Sequence, residues 1–406
     1  MTISKKWVWA AFAAFFVLAV FLRVDFLRSV QHLVPHDTLQ YDKMVRQWLD
    51  TGVYGYKSTQ SNAQVTPGYP LIMAAVYKVV DYHTHDPYPY LRYLNVVFSM
   101  ANLTLLFLMA QRWANDLTAL FAAAIAAVYP SFMWTNGAVL TEVPTALLLT
   151  AYLYVQMIAF ETRKPLHAGL AGILLGLTAL IRPEFMPLCL PLYALYWLQT
   201  RDRSFWKPLL ATLVGLALVM SPWWIRNAVV MDKLILTGTQ ENPFYAGTFP
   251  YKQWGDGLVD EKGKTQKEIA LERIRVGFTE HTGLFLKWFT VGKLEYTYGR
   301  MFMGAGHMPF YRILPQQNLF HLAIILSGLL GMIFSLRRWR HPLVMPAAVI
   351  VVMSGVRLMF IPEYRYNFTV MPLIILFSAY AAAVVIHGLT ARFSRAAPPP
   401  QRLGNS

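Results

Sequence analysis

"VPHDTLQYDKMVRQWLD", residues 34–50, follows directly on the first long apolar run of the chain. Tyr41, Met44, Val45, Trp48 and Leu49 recur at i, i+3, i+4, i+7 and i+8, opposite Asp42, Lys43, Arg46 and Asp50. That spacing predicts an amphipathic helix lying flat in a membrane interface. Asp37 stands at its start with Gln40 three residues on, the pattern of a capping box. A carboxylate held at the same place could instead take a proton from a substrate. The two readings differ in what surrounds Asp37, so the rest of the chain has to decide between them.

Composition sets the class. Of 406 residues, 56% are hydrophobic and only 14% charged, against roughly 25% charged in an ordinary soluble protein. The chain is therefore expected to be an all-α polytopic membrane protein. Apolar runs approaching the ~20 residues of a membrane span occur at 7–22, 90–110, 117–134, 144–160, 166–181, 185–198, 209–224, 319–336, 343–360 and 368–386, predicting about ten transmembrane helices. If the spans alternate, Lys5, Lys6, Arg112, Arg163, Lys164, Arg201, Arg203, Lys207, Arg337, Arg338 and Arg340 share one side, which the positive-inside rule makes the cytoplasm. The net charge of +15 is then a topology signal, and no nucleic-acid partner is read into it. The first run continues into Arg23 and Asp25 without a small-residue cleavage site and reads as an uncleaved anchor. Cys189, alone in the chain and within an apolar run, supports neither a disulfide nor a thiolate metal site.

Two long segments, 23–89 and 226–316, fall on the outer side. Both are rich in aromatics, and connections of this length are functional or disordered. In the first, turn residues 52–62 lead to "TPGYP" (66–70) and a short apolar helix through Val80; in the second, a turn-rich stretch 237–250 precedes a helix predicted over 265–288. With no internal repeat and no separate soluble domain, 1–390 reads as one membrane-embedded domain. Residues 391–406 form a cytoplasmic tail whose composition predicts disorder.

Four more charged residues deserve weighing beside Asp37. Glu142 in "LTEVP" opens a span, where a carboxylate complements the helix dipole. Arg182 in "LIRPEF", Arg226 in "PWWIRN" and Arg365 in "IPEYRYNF" stand at span ends, where an arginine can snorkel to the interface. Each has an ordinary structural explanation taken singly. Together, all five lie on the side that should be poor in arginine, and charges beside apolar spans are costly and mark function. Arginine offers a planar fork for phosphate oxygens and a carboxylate offers a base, which points to phosphate held and a proton removed.

The ordered set "HD…Y" (Asp37, Tyr41), "PGYP" (67–70), "YP…LTE" (129–142), "GLTALIRPE" (176–184), "PWWIRN" (222–227) and "EYRYNF" (363–368) resembles bacterial members of the GT-C membrane glycosyltransferases, relatives of the protein O-mannosyltransferases and of the lipid A aminoarabinose transferase. The resemblance implies a GT-C-like fold with amphipathic helices in the first outer loop. It implies transfer of a sugar from a polyprenyl phosphate donor to a lipid, glycan or protein acceptor on the non-cytoplasmic face of the plasma (inner) membrane. Carried over, Asp37 would be catalytic, orienting or deprotonating the acceptor hydroxyl. Arg182, Arg226 and Arg365, with Asn227, Tyr41 and Tyr364 nearby, would bind substrate, and Glu142 would support the sugar. Asp37 is followed by Thr38 where the protein O-mannosyltransferases show Asp-Glu, which leaves lipid-linked and polysaccharide acceptors open. A divalent metal is conceivable, but only Asp37 and Glu142 offer hard-oxygen ligands, so none is expected.

Two other classes compete: a multi-span lipid or solute transporter, and an outer-face polysaccharide polymerase or ligase. A transporter would show paired repeats and charges at mid-membrane, neither of which is evident. A polymerase or ligase leaves the acidic first-loop helix without a role. The topology is directly checkable: a cysteine introduced at Asn242 should react with an impermeant maleimide in intact cells, and one at Arg338 only after permeabilisation. Reversed labelling would move the carboxylates and arginines to the cytoplasm.

Overall fold

The computed structural model describes residues 4–29, 32, 34, 36–302 and 316–396, so parts of the second outer segment and of the C-terminal tail lie outside the described residues. In chain order the helices are α1 (Lys5–Ser29), α2 (His36–Thr51), α3 (Gly68–Val80), α4 (Tyr88–Trp113), α5 (Asp116–Val128), α6 (Pro130–Trp134), α7 (Glu142–Thr162), α8 (Pro165–Ile181) and α9 (Cys189–Thr200). They continue as α10 (Trp206–Met231), α11 (Asn242–Gly247), α12 (Gln266–Glu280), α13 (Thr282–Lys287), α14 (Lys293–Tyr298), α15 (Gln317–Leu336), α16 (Val344–Arg357), α17 (Tyr364–Asn367) and α18 (Met371–Ala396). Among the described residues there is no strand.

The chain is a multi-pass membrane protein. Six helices, α1, α4, α7, α10, α15 and α18, are each long and apolar enough to cross a bilayer. The expected run 117–134 is broken: α5 and the helical stretch 130–137 meet at 57°, and only taken together do they have the length and apolarity of a span. The remaining three expected spans fall short of the count of ten by length. α8 has 17 residues, about 26 Å of helix against a hydrocarbon core of about 30 Å. α16 has 14 residues, and the run 185–198 is a 3-10 turn (Pro183–Leu188) followed by the 12-residue α9.

The bend at 129–130 follows from sequence. Pro130 has no N–H, so the Ala126 carbonyl loses its helical donor. Buried Arg23 supplies the replacement, donating to the carbonyls of Ala126 at 3.0 Å and Ala127 at 3.1 Å, and to Ser99 Oγ at 2.9 Å. A charge read as a flank of the first span is thus a cap for another helix's C-terminus, favoured by that end's partial negative charge.

Glycines set the closest approaches. A Cβ on Gly172 of α8 would lie 2.0 Å from the Thr212 carbonyl oxygen of α10, and one on Gly215 2.2 Å from the Gly169 carbonyl oxygen. This is the small-residue contact that lets membrane helices touch backbone to backbone. Gly68 does the same for the first outer loop, where a Cβ would sit 2.6 Å from the Leu180 carbonyl. "TPGYP" therefore seats α3 on the end of α8, beside Arg182.

Helix ends segregate to two ends of the bundle. At one, Arg112 meets Glu161 at 2.7 Å, Arg163 meets Asp202 at 3.3 Å, and Gln199 donates to the Trp339 carbonyl at 2.6 Å. The opposite end carries α2, α3 and the second outer segment. The apolar face of α2 is covered by protein there: Val45 packs with Tyr69, Met73, Tyr77, Leu91 and Ile181. The predicted helix over 265–288 is real but folded back. Thr265 and Glu268 form its capping box, and the chain turns at His281 because Gly277 leaves room for the Phe285 ring, which a Cβ would meet at 2.2 Å. Gly172→Val should part α8 from α10 and destabilise the protein by about 1–3 kcal/mol, read as a lower thermal midpoint in detergent. An unchanged midpoint would show that this contact is not needed.

Candidate functional site

At the bundle end bearing α2 and α3, a cavity of about 610 Å³ opens, walled by α2, the turn after it, the ends of α8 and α16, residues 237–243 and the start of α17. Its polar side chains form an alternating ladder. Asp37 Oδ2 accepts from Arg365 Nη1 at 2.6 Å across 328 residues of sequence. Arg365 Nε lies 4.0 Å from Glu142 Oε1, which also accepts from Arg182 Nη2 at 2.6 Å. Arg182 in turn lies 3.9 Å from Glu184 Oε1, and Glu184 is 3.5 Å from Arg357 Nη2. Every carboxylate in the row faces at least one guanidinium.

Local structure explains each position. Asp37 is the second residue of α2, one position inside its start, and its carboxylate is taken by Arg365. That is a cross-chain contact, not the capping box that the sequence suggested. Glu142 opens α7 and is buried, where the helix dipole favours its charge. Arg182 ends α8, its Nε donating to Thr141 Oγ1 at 3.0 Å, and Pro183 stops the helix from continuing. Arg365 lies on α17. Burial disfavours its charge, but Glu142, Tyr366 and Asp37 outweigh that and raise its pKa. Tyr366 lies between the two arginines, with the Arg182 guanidinium 5.4 Å and the Arg365 guanidinium 5.6 Å from its ring.

Tyr41 lines the cavity, 5.5 Å from the rings of Tyr56 and Tyr69. Burial, then Tyr56, raises its phenol pKa, and burial pushes Tyr56 up to about 12. Both hydroxyls stay neutral donors at physiological pH.

Three residues expected to bind substrate stand elsewhere. Arg226 donates to the carbonyls of Asn62 at 2.9 Å and Tyr54 at 3.3 Å, and its guanidinium lies 5.3 Å from the rings of both Tyr54 and Trp223. Asn227 accepts from Arg226 and donates to the Ile235 carbonyl. Both tie the end of α10 to the loop after α2, since the orphan carbonyls of that loop offer an arginine more partners than the solvent-side interface does. Tyr364 stacks parallel on Tyr296, with ring centres 6.2 Å apart, outside the cavity wall; its neighbour Tyr366 is the ring that faces in.

The residues missed are Glu184, Arg357 and Tyr366. Glu184 and Tyr366 sit inside the very motifs "LIRPEF" and "EYRYNF". Arg357 ends α16 but lies inside the run 343–360 expected to span the membrane, so the span-end signal that singled out Arg182 did not mark it.

The cavity resembles a donor set for an anion and not for a cation. Among the described residues no group of three His, Cys, Asp or Glu stands where it could hold a metal, and a divalent ion at Asp37 or Glu142 would face a guanidinium. The guanidiniums beside Asp37 and Glu142 disfavour a divalent ion at these carboxylates.

The fold is that of the GT-C superfamily of membrane glycosyltransferases. A family profile described as dolichyl-phosphate-mannose-protein mannosyltransferase matches residues 64–225, which include Glu142, Arg182 and Glu184 but not Asp37, Arg357 or Arg365. Among solved structures, ArnT from Cupriavidus metallidurans bound to undecaprenyl phosphate superposes with a TM-score of 0.58 and 14% identity, over 99% of this chain and 68% of that one. The Archaeoglobus fulgidus oligosaccharyltransferase tethered with an acceptor peptide superposes with a TM-score of 0.58 and 15% identity, over 96% of this chain. The chain spans about half the length of that oligosaccharyltransferase, 51%, a protein also known in complex with Zn and sulfate. No curated protein matches the sequence.

Removing one partner of a buried ion pair leaves the other charge uncompensated. Arg182→Ala should therefore destabilise the protein by about 3–5 kcal/mol, and Glu142→Gln in the same chain should recover part of the loss. Simple additivity of the two midpoint shifts in thermal unfolding would show that the pair is not coupled.

Proposed function

We propose that the protein is a glycosyltransferase that moves a sugar from a polyprenyl phosphate carrier to a hydroxyl of a lipid, glycan or protein acceptor. The reaction takes place on the non-cytoplasmic face of the plasma (inner) membrane, without a bound metal. The observation that carries this reading is the Asp37 to Arg365 ion pair inside the cavity. It joins a base to a phosphate-binding group at the bundle end opposite the Lys/Arg-rich turns.

In the free enzyme, Arg365 holds the Asp37 carboxylate. The phosphodiester of the donor offers Arg365 a second anion with matching fork geometry, and as the guanidinium turns to it Asp37 is released toward the acceptor. The acceptor oxygen then attacks the anomeric carbon while its proton passes to the Asp37 carboxylate. The bond from that carbon to the phosphate oxygen breaks, its electron pair stays on the phosphate, and Arg365 meets the charge that develops there without reorganising. Arg182, pinned by Glu142 and Thr141, fixes Tyr366 behind this centre.

Asp37→Asn keeps a side chain of the same size and removes the basicity. It should give a folded protein with turnover from a defined polyprenyl phosphate sugar lowered by about a hundredfold or more. Arg365→Ala should lower turnover on a similar scale, about a hundredfold, with Arg365→Lys in between because the planar fork is lost but the charge is kept. Chelation with EDTA should leave turnover unchanged. Near wild-type transfer by Asp37→Asn would sink the role of Asp37 as base, and loss of activity with EDTA would sink the metal-free mechanism.

A further inference from the structure

The inner end of the cavity carries a pair that the transfer step does not use. Arg357 is buried, with its side chain 4% exposed, and lines the cavity. Its Nη2 donates to Thr369 Oγ1 at 2.7 Å and faces Glu184 at 3.5 Å, while its Nε and Nη1 have no hydrogen-bond partner. Two unpaired guanidinium nitrogens, with three N–H groups between them, are costly in a buried site. Beside them, Glu184 is 26% exposed and held only by the two long contacts to Arg182 and Arg357. Most of its acceptor capacity is open to the cavity. A carboxylate that accepts and a guanidinium that donates, side by side, match neighbouring hydroxyls, each of which is both donor and acceptor.

Charge accounting narrows the ligand further. Asp37, Glu142 and Glu184 balance Arg182, Arg357 and Arg365, three against three, and Lys252 cancels Glu363 at 2.6 Å. Lys57 is the cavity cation outside these pairs among the described residues. Its surplus equals the single negative charge of a phosphodiester, which leaves no charge for the sugar. Glu184, already within 4 Å of two arginines, is a poor partner for an ammonium. Arg357, already facing Glu184, is a poor partner for a carboxylate.

We propose that Glu184 and Arg357 form the donor-sugar subsite and that it selects an uncharged, hydroxyl-rich sugar over an amino sugar or a uronic acid. The proposal rests on the transferase reading above, and its test separates the two. Dissociation constants are measured for the full chain in nanodiscs with four probes: the methyl diester of undecaprenyl phosphate, which has the donor's charge without a sugar, and undecaprenyl phosphate bearing glucose, glucuronic acid or 4-aminoarabinose. The glucosyl carrier should bind about tenfold tighter than the methyl diester, the scale of one charge-assisted hydrogen bond, and the two charged sugars no tighter than the methyl diester. Glu184→Gln and Arg357→Met should each abolish the gain from glucose and leave methyl diester binding unchanged. Should Arg357→Met fail to fold, Glu184→Gln, at a partly exposed side chain, decides alone. Preference for a charged sugar, or equal weakening of the glucosyl and methyl probes in Glu184→Gln, would overturn the subsite. If the methyl diester binds and glucose adds nothing, only this inference falls. If no undecaprenyl probe binds, the transferase reading falls with it.

Discussion

A guanidinium buried at the end of a membrane helix needs partners that offset its lost hydration, and a carboxylate buried beside it needs the same, because desolvating either charge alone costs several kcal/mol. Asp37, Arg365, Glu142, Arg182, Glu184 and Arg357 satisfy that condition as one alternating row. The row spans α2, α7, α8, α16 and α17, so helices far apart in sequence must bring their ends to the same place. The same alternation makes each charge depend on its neighbours: removing one arginine would leave the carboxylate next to it uncompensated.

The rest of the architecture serves that convergence. Pro183 ends α8 at the cavity, while Pro130 bends α5 into α6 and Arg23 answers the carbonyl that Pro130 leaves open. Glycines at 68, 172 and 215 bring the backbones of the first outer loop, α8 and α10 into direct contact. Arg226 acts at the edge of this frame. It holds the loop after α2 by its carbonyls, and that loop carries Tyr56 and Lys57 into the cavity wall. Arg226, expected from the sequence among the substrate-binding residues, is in this structure engaged by loop carbonyls.

The second outer segment closes the other side. Thr239 N–H donates to the Ala63 carbonyl at 2.9 Å, and Ile361 N–H donates to the Pro243 carbonyl at 2.8 Å. These main-chain bonds link 237–243 to the first loop and to the stretch leading into α17. Backbone pairing thus ties the loop walls of the cavity to its helical walls, α2, α16 and α17. Loops positioned in this way by a rigid scaffold are where binding residues concentrate.

Composition and the recurrence of apolar runs determined the class and the all-helical architecture, because crossing a bilayer demands long apolar helices with internally satisfied backbones. The Lys/Arg pattern identified which helix ends lie together, and Asp37, Glu142, Arg182 and Arg365 were legible as span-end charges. Sequence could not say which of these charges meet. The pairing of Asp37 with Arg365 depends on where α2 and α17 land after the bundle packs, and that landing is decided by glycine contacts, bends and loop hydrogen bonds spread over the chain. For the same reason Arg226 was indistinguishable from Arg182 on paper, and Arg357 was hidden inside the expected run 343–360. Only the packing of their neighbours turns one guanidinium to loop carbonyls and leaves another buried beside Glu184 with two nitrogens unpaired.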